Sequence, residues 1–91
     1  MVRKKDIAIT NPAGLHARPA SAIILAVAAS EATVKISNPE TGAETDCQSV
    51  MGLLSLAATP GSRLHIEVAG EDAERLIATL VKLFESGFGE S

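Results

Sequence analysis

Aromatic side chains are almost missing from this chain. Phe84 and Phe88 are the only two, and there is no Trp or Tyr. The core must therefore be assembled mostly from Ile, Leu, Val, Ala and Met. Cysteine is nearly missing as well. Cys47 stands alone, which excludes an internal disulfide and fits a reducing cytoplasm. No arginine-rich run or basic stripe occurs, and the net charge is -3, so nucleic acid is a poor partner. No apolar run reaches the roughly 18 residues that a membrane span needs. The opening MVRKKDIAIT has positive charges without a long apolar stretch behind them, so it does not read as a secretory signal. What is present is 91 residues with a hydrophobic fraction of 46%, the balance of an ordered globular protein. One small domain spanning 1–91 is expected, with stability on the order of 5–10 kcal/mol.

Along the chain, Ile7 and Ile9 alternate with Asp6, Ala8 and Thr10 as a short strand, and NPAG breaks it. Ala17 to Ala29 is rich in Ala, Ile and Leu and predicts a helix. Thr33 to Ser37 alternates again, NPETG makes a turn, and Ala43 to Gln48 returns as the other arm of a hairpin with Thr45 and Cys47 facing inward. Ser49 to Ala58 predicts a short apolar helix stopped by Thr59-Pro60-Gly61. Leu64, Ile66 and Val68 alternate with His65 and Glu67, which puts His65 on the outer side of a fourth strand. Gly70 to Ser86 is amphipathic, with Leu76, Ile77, Leu80, Val81 and Phe84 on one face, and Gly87 is placed to end it in a left-handed turn. The order β-α-β-β-α-β-α implies an α+β fold, one sheet with its helices on a single face.

The stretch NPAGLHARPAS, Asn11 to Ser21, carries the chemistry. His16 falls at the mouth of the first helix, with Ala17, Arg18 and Pro19 as its first turn. Proline is tolerated there because a first-turn N–H has no intrahelical partner. The remaining free amides and the helix dipole favour an anion, by about 0.3–1 kcal/mol when exposed. Arg18 adds a planar guanidinium that can donate two hydrogen bonds to phosphate oxygens. A neutral imidazole has one unprotonated nitrogen and can act as a nucleophile. These parts suit a histidine that accepts and passes on a phosphoryl group. There is no P-loop, carboxylate cluster or Ser-His-Asp set to complete an active site. On spacing alone, a surface histidine beside a capping turn is the commoner arrangement. A metal site is not expected, since Cys47 and His65 lack ligand spacing to His16.

GLHARPAS, Gly14 to Ser21, resembles the active-site motif of the HPr family, the histidine-containing phosphocarriers of the bacterial phosphotransferase system. SVMGLLSL, Ser49 to Leu56, resembles that family's second signature. The resemblance spans nearly the whole chain. It implies an open-faced β-sandwich, with a four-stranded antiparallel sheet and three helices on one face. It also implies phosphorylation of His16 on Nδ1, with Arg18 stabilising the phosphate. Gln48 stands where the family often has a lysine, the first helix lacks the family's frequent basic residues, and the loop around Pro39 is slightly long. The first two departures bear on partner affinity and kinase recognition, not on phosphoryl acceptance.

No charged residue lies between Arg18 and Glu31, and none from Cys47 to Ser62. A single sheet cannot bury every apolar residue of two such helices, so a patch near His16 is expected to stay exposed. Ala17, Ala20, Val50, Met51 and Leu54 are its candidate docking residues; the competing reading is that small alanines make a tight core. The resemblance favours docking, with enzyme I and IIA domains as partners. Ser49 is an N-cap candidate. The family implies that it can also be phosphorylated by HPr kinase, adding a charge of about -1.5 to -2. The expected protein is a cytoplasmic, monomeric phosphocarrier with no cofactor and no membrane insertion. Its alternative is a nitrogen-branch regulatory paralogue, towards which the ending ESGFGE leans. A binding module acting only through Ser49 and a free-standing hydrolase are rivals; retention of His16 with Arg18 opposes the first, and the missing second catalytic group opposes the other.

Overall fold

The sheet begins with β1 (Val2–Ala8), which starts well upstream of the Ile7–Ile9 alternation. The computed structural model describes residues 1–90. Next come α1 (Ala17–Ala28), β2 (Thr33–Ser37), β3 (Glu44–Thr45), α2 (Val50–Leu54), β4 (Arg63–Ala69) and α3 (Ala73–Glu85), then a short 3-10 turn at Gly87–Gly89. The strands form one antiparallel sheet in the order β1-β4-β2-β3.

Period-two alternation sorts the sheet into two faces. Ile7, Val34, Ile36, Leu64, Ile66 and Val68 are buried on one of them. Against these pack Ile23 and Val27 of α1, Leu53 of α2, and Leu76, Leu80 and Phe84 of α3, making a single core. The other face carries Lys4, Asp6, Lys35, His65 and Glu67 in a ladder of ion pairs. The fold is thus an open-faced β-sandwich with all three helices on one side. Among the described residues, no helix is long and apolar enough to cross a membrane.

The boundaries differ from the expected ones for local reasons. The return arm of the hairpin, expected over Ala43 to Gln48, pairs only at Glu44 and Thr45. Cys47 then adopts φ 63°, and the Cys47 and Gln48 amides bond to the side chains of Thr45 and Asp46 instead of a strand. Thr45 and Cys47 are nevertheless both buried, as expected. The second helix, expected to reach Ala58, ends sooner because Ala57 turns to φ 52°. The last helix starts three residues later than Gly70, after Asp72. Gly87 does close it in a left-handed conformation, at φ 62°.

Candidate functional site

The loop before α1 is held at both ends. The Gly14 N–H donates to the Asn11 carbonyl at 3.1 Å, and the Leu15 N–H donates to the Ala58 carbonyl at 3.1 Å. Gly14 sits at φ +70°, and a Cβ there would lie 2.7 Å from the Ala58 carbonyl oxygen, so only glycine fits. The chain leaves this clamp with His16 as the N-cap of α1, in extended conformation. Its carbonyl accepts the Ala20 N–H at 3.0 Å, while its side chain makes no capping bond. The imidazole is therefore free to point away from the helix. The Ala17 and Arg18 amides have no intrahelical acceptor, Pro19 has no N–H to leave unmatched, and no acidic side chain of the helix itself sits in the first turn.

A carboxylate reaches the site from the other end of the chain. His16 Nε2 lies 2.8 Å from Glu90 Oε2, with the two side chains 39% and 19% exposed. Asn11 Nδ2 donates to Glu90 Oε1 at 2.8 Å and to the Gly14 carbonyl at 2.7 Å. The Asn11 bond, the His16 ring and the charges of His16 and Arg18 hold the Glu90 carboxyl below the usual carboxylate range, outweighing partial desolvation. Arg18 is exposed and, among the described residues, makes no ion pair, so its guanidinium remains open to an incoming anion.

Ser49 caps α2, its Oγ accepting the Gly52 N–H at 3.0 Å. It opens onto a shallow concavity shared with Lys35, Glu44 and Asp46. Of the candidate docking residues, Met51 is 74% exposed, Val50 and Leu54 are half-buried, and Ala17 is exposed. Ala20 is a correction. It is fully buried, because it faces the core one turn after the N-cap, and it cannot touch a partner. Leu25, 72% exposed on α1, had not been singled out and belongs to the apolar surface instead. Glu90 and Asn11 were missed altogether; the only signal was a lone carboxylate in the glycine-rich ending. His65 faces outward from β4, bonded to Asp6 and Glu67 and not to the residues around His16. One groove of about 460 Å³ lies between β1 and α3, lined by Arg3, Lys5, Ile77, Val81 and Lys82. It does not include His16, whose side chain is 39% exposed.

The comparisons with known proteins agree with this geometry. A family model described as "PTS HPr component phosphorylation site" matches residues 3–86. Phosphocarrier protein NPr of Escherichia coli strain K12 is 37% identical over 90 residues, covering 99% of each chain. Phosphocarrier protein HPr of Xylella fastidiosa strain Temecula1 is 31% identical over 85 residues, covering 93% of each. The crystal structure of HPr-C-His from Thermoanaerobacter tengcongensis superposes with a TM-score of 0.89 at 31% identity, over 98% of both chains. With a family model matching residues 3–86 and relatives more than 30% identical over nearly its whole length, the chain belongs to the HPr family of phosphocarrier proteins of the phosphotransferase system.

Proposed function

We propose that His16 accepts a phosphoryl group on Nδ1 from phosphorylated enzyme I and passes it to a histidine of a IIA domain. The observation that carries this reading is a part-exposed imidazole at the positive end of α1, with no capping bond of its own and an unpaired guanidinium two residues on. The free amides and Arg18 stabilise the phosphate oxygens. The chain works as one domain in the cytoplasm and supplies a carrier nucleophile, while partners supply the rest of the chemistry. Its docking surface is Ala17, Leu25, Val50, Met51 and Leu54, apolar residues that α1 and α2 leave wholly or partly uncovered.

Incubation with enzyme I and labelled phosphoenolpyruvate tests the site. The expected product carries an acid-labile label that His16→Ala abolishes and Arg18→Ala reduces. Undiminished acid-labile labelling of the His16→Ala protein would refute the assignment.

A second reading keeps this chemistry and changes its use, with phosphorylation state controlling partners rather than driving sugar uptake. The relatives named NPr, at 37% and 39% identity over 99% of the chain, support it. Offering the phosphorylated protein a sugar-specific and a nitrogen-branch IIA domain separates the two, since the branch is the acceptor that discharges it faster.

A further inference from the structure

The C-terminal segment is strapped onto the site rather than left beside it. Gly87, Phe88 and Gly89 take φ of 62°, 57° and 75°, three consecutive left-handed residues that fold the chain back over the end of α3. The Phe88 ring packs edge-on against Phe84 at a centroid distance of 4.9 Å, and Thr10 Oγ1 donates to the Phe84 carbonyl at 3.2 Å. The Glu90 N–H closes the turn onto the Gly87 carbonyl at 3.0 Å. The strap delivers the Glu90 carboxylate to His16, where Asn11 braces it. Asn11 is 2% exposed and spends both amide hydrogens, one on Gly14 and one on Glu90. Turned the other way, its oxygen would face two acceptors, so the brace has a single orientation.

We infer that Glu90 is a positioning residue for phosphoryl transfer, fixing the His16 ring so that Nδ1 presents its lone pair to the donor. The inference rests on the phosphocarrier reading and deepens it. An ionised carboxylate only accepts hydrogen bonds, so the ring nitrogen 2.8 Å from it carries the hydrogen. In the neutral ring that nitrogen is Nε2, and Nδ1 is then unprotonated. Transfer needs no proton to leave His16 first. The Nδ1 lone pair forms the new N–P bond while the donor's bond to phosphorus breaks, its electron pair leaving with the donor. The ring becomes cationic with Nε2–H still on Glu90, whose charge compensates it. When the group moves on, the N–P pair returns to Nδ1 and the ring is left neutral in the same tautomer, ready for the next cycle.

Phosphoramidate, a donor too small to use a docking surface, provides the test together with 15N-labelled histidine. The protein has two histidines, so assignment needs only a His65→Gln control. In the full-length protein with the His16 ring neutral, a protected Nε2 proton and an unprotonated Nδ1 are expected. Glu90→Ala should lose the protected proton and take up phosphate roughly tenfold more slowly, the lower end of the loss when a metal-bound histidine is deprived of its orienting partner. Phosphorylated enzyme I should show the same factor in kcat with KM unchanged. Glu90→Gln offers one acceptor oxygen where Asn11 and His16 both donate, so it should also lose the protected proton and slow phosphate uptake. An unaltered spectrum in Glu90→Ala, or an unaltered rate, overturns the inference. Failure of the unmodified protein to label His16 with either donor overturns the phosphocarrier reading instead.

Discussion

At the scale of single residues, the site depends on two positions that never touch phosphate. Gly14 is one. Its φ of +70° disfavours any L side chain, and the Ala58 carbonyl occupies the space a Cβ needs. Gly14→Ala must shift the backbone just ahead of His16, and should cost about 2–3 kcal/mol from strain and overlap together. The measurement is urea unfolding, with a lower midpoint at unchanged slope. Asn11 is the other. Asn11→Asp replaces a buried double donor by a carboxylate facing the Glu90 carboxylate and the Gly14 carbonyl. The expected result is release of the strap, seen as loss of the protected His16 Nε2 proton, and a stability loss of about 2–3 kcal/mol at neutral pH. Retention of both that proton and the wild-type midpoint would show that the brace does not hold Glu90.

The elements show what pattern reading reaches and where it stops. α1 and β2 lie within a residue of their expected bounds, because a long charge-free run and a clean period of two leave little competition. β1 extends upstream through Arg3, Lys4 and Lys5, which no hydrophobic pattern marks. As an edge strand it needs fewer apolar residues, and its register with β4 supplies the pairing. β3 shrank because turn-forming Thr45 and Asp46 side chains captured the amides a ladder would have used. His16 and Arg18 were legible because their meaning is local: a helix mouth can be read from ten residues. Glu90 was not, since its partner lies 74 positions away and only the folded chain joins them. α2, five residues long, cannot hold itself together and leans on its cap and on Leu53 in the core. Ser49→Ala should therefore lose about 1 kcal/mol, read in the same unfolding assay. Met51→Asp combined with Leu25→Asp should leave stability and phosphoramidate labelling intact. It should raise KM for phosphorylated enzyme I by roughly tenfold, the effect of losing exposed apolar anchors at an interface. An unchanged KM would move the docking surface elsewhere.

Over the whole molecule, the two sheet faces divide the labour, and they answer to different solution conditions. The covered face holds the apolar core and, through the ends of α1 and α3, the His16 site. The open face is a solvent-facing charge ladder running across three strands. His65 Nδ1 lies 2.6 Å from Asp6 Oδ1 on β1, and Nε2 lies 3.3 Å from Glu67 Oε1 on its own strand. Lys4 and Lys35 flank Glu67 at 3.7 and 3.9 Å. The Asp6 hydrogen bond, followed by Glu67, raises the His65 pKa above its ordinary 6.5, against some desolvation. The His65 bond in turn lowers Glu67 from its ordinary 4.5, aided by Lys35 and Lys4. A group with a raised folded pKa contributes stability that is fully present below its unfolded pKa and is lost as pH rises through the folded one. For His65 that means a contribution complete about one unit below its ordinary 6.5 and lost as pH rises through the raised value. Glu67 behaves oppositely, contributing above its unfolded pKa and losing that contribution as pH falls through the lowered one. The ladder is therefore strongest in the window between the two ordinary values. Thermal unfolding of the wild type and of His65→Gln at about pH 5.5, 7 and 8.5 should show the largest gap in Tm at the lowest of these and a gap that shrinks as pH rises. Because the ladder is exposed, the gap should be small and should narrow further in about 0.5 M salt. A gap that widens towards alkaline pH would mean that His65 is held neutral by the sheet, reversing the role assigned to Asp6.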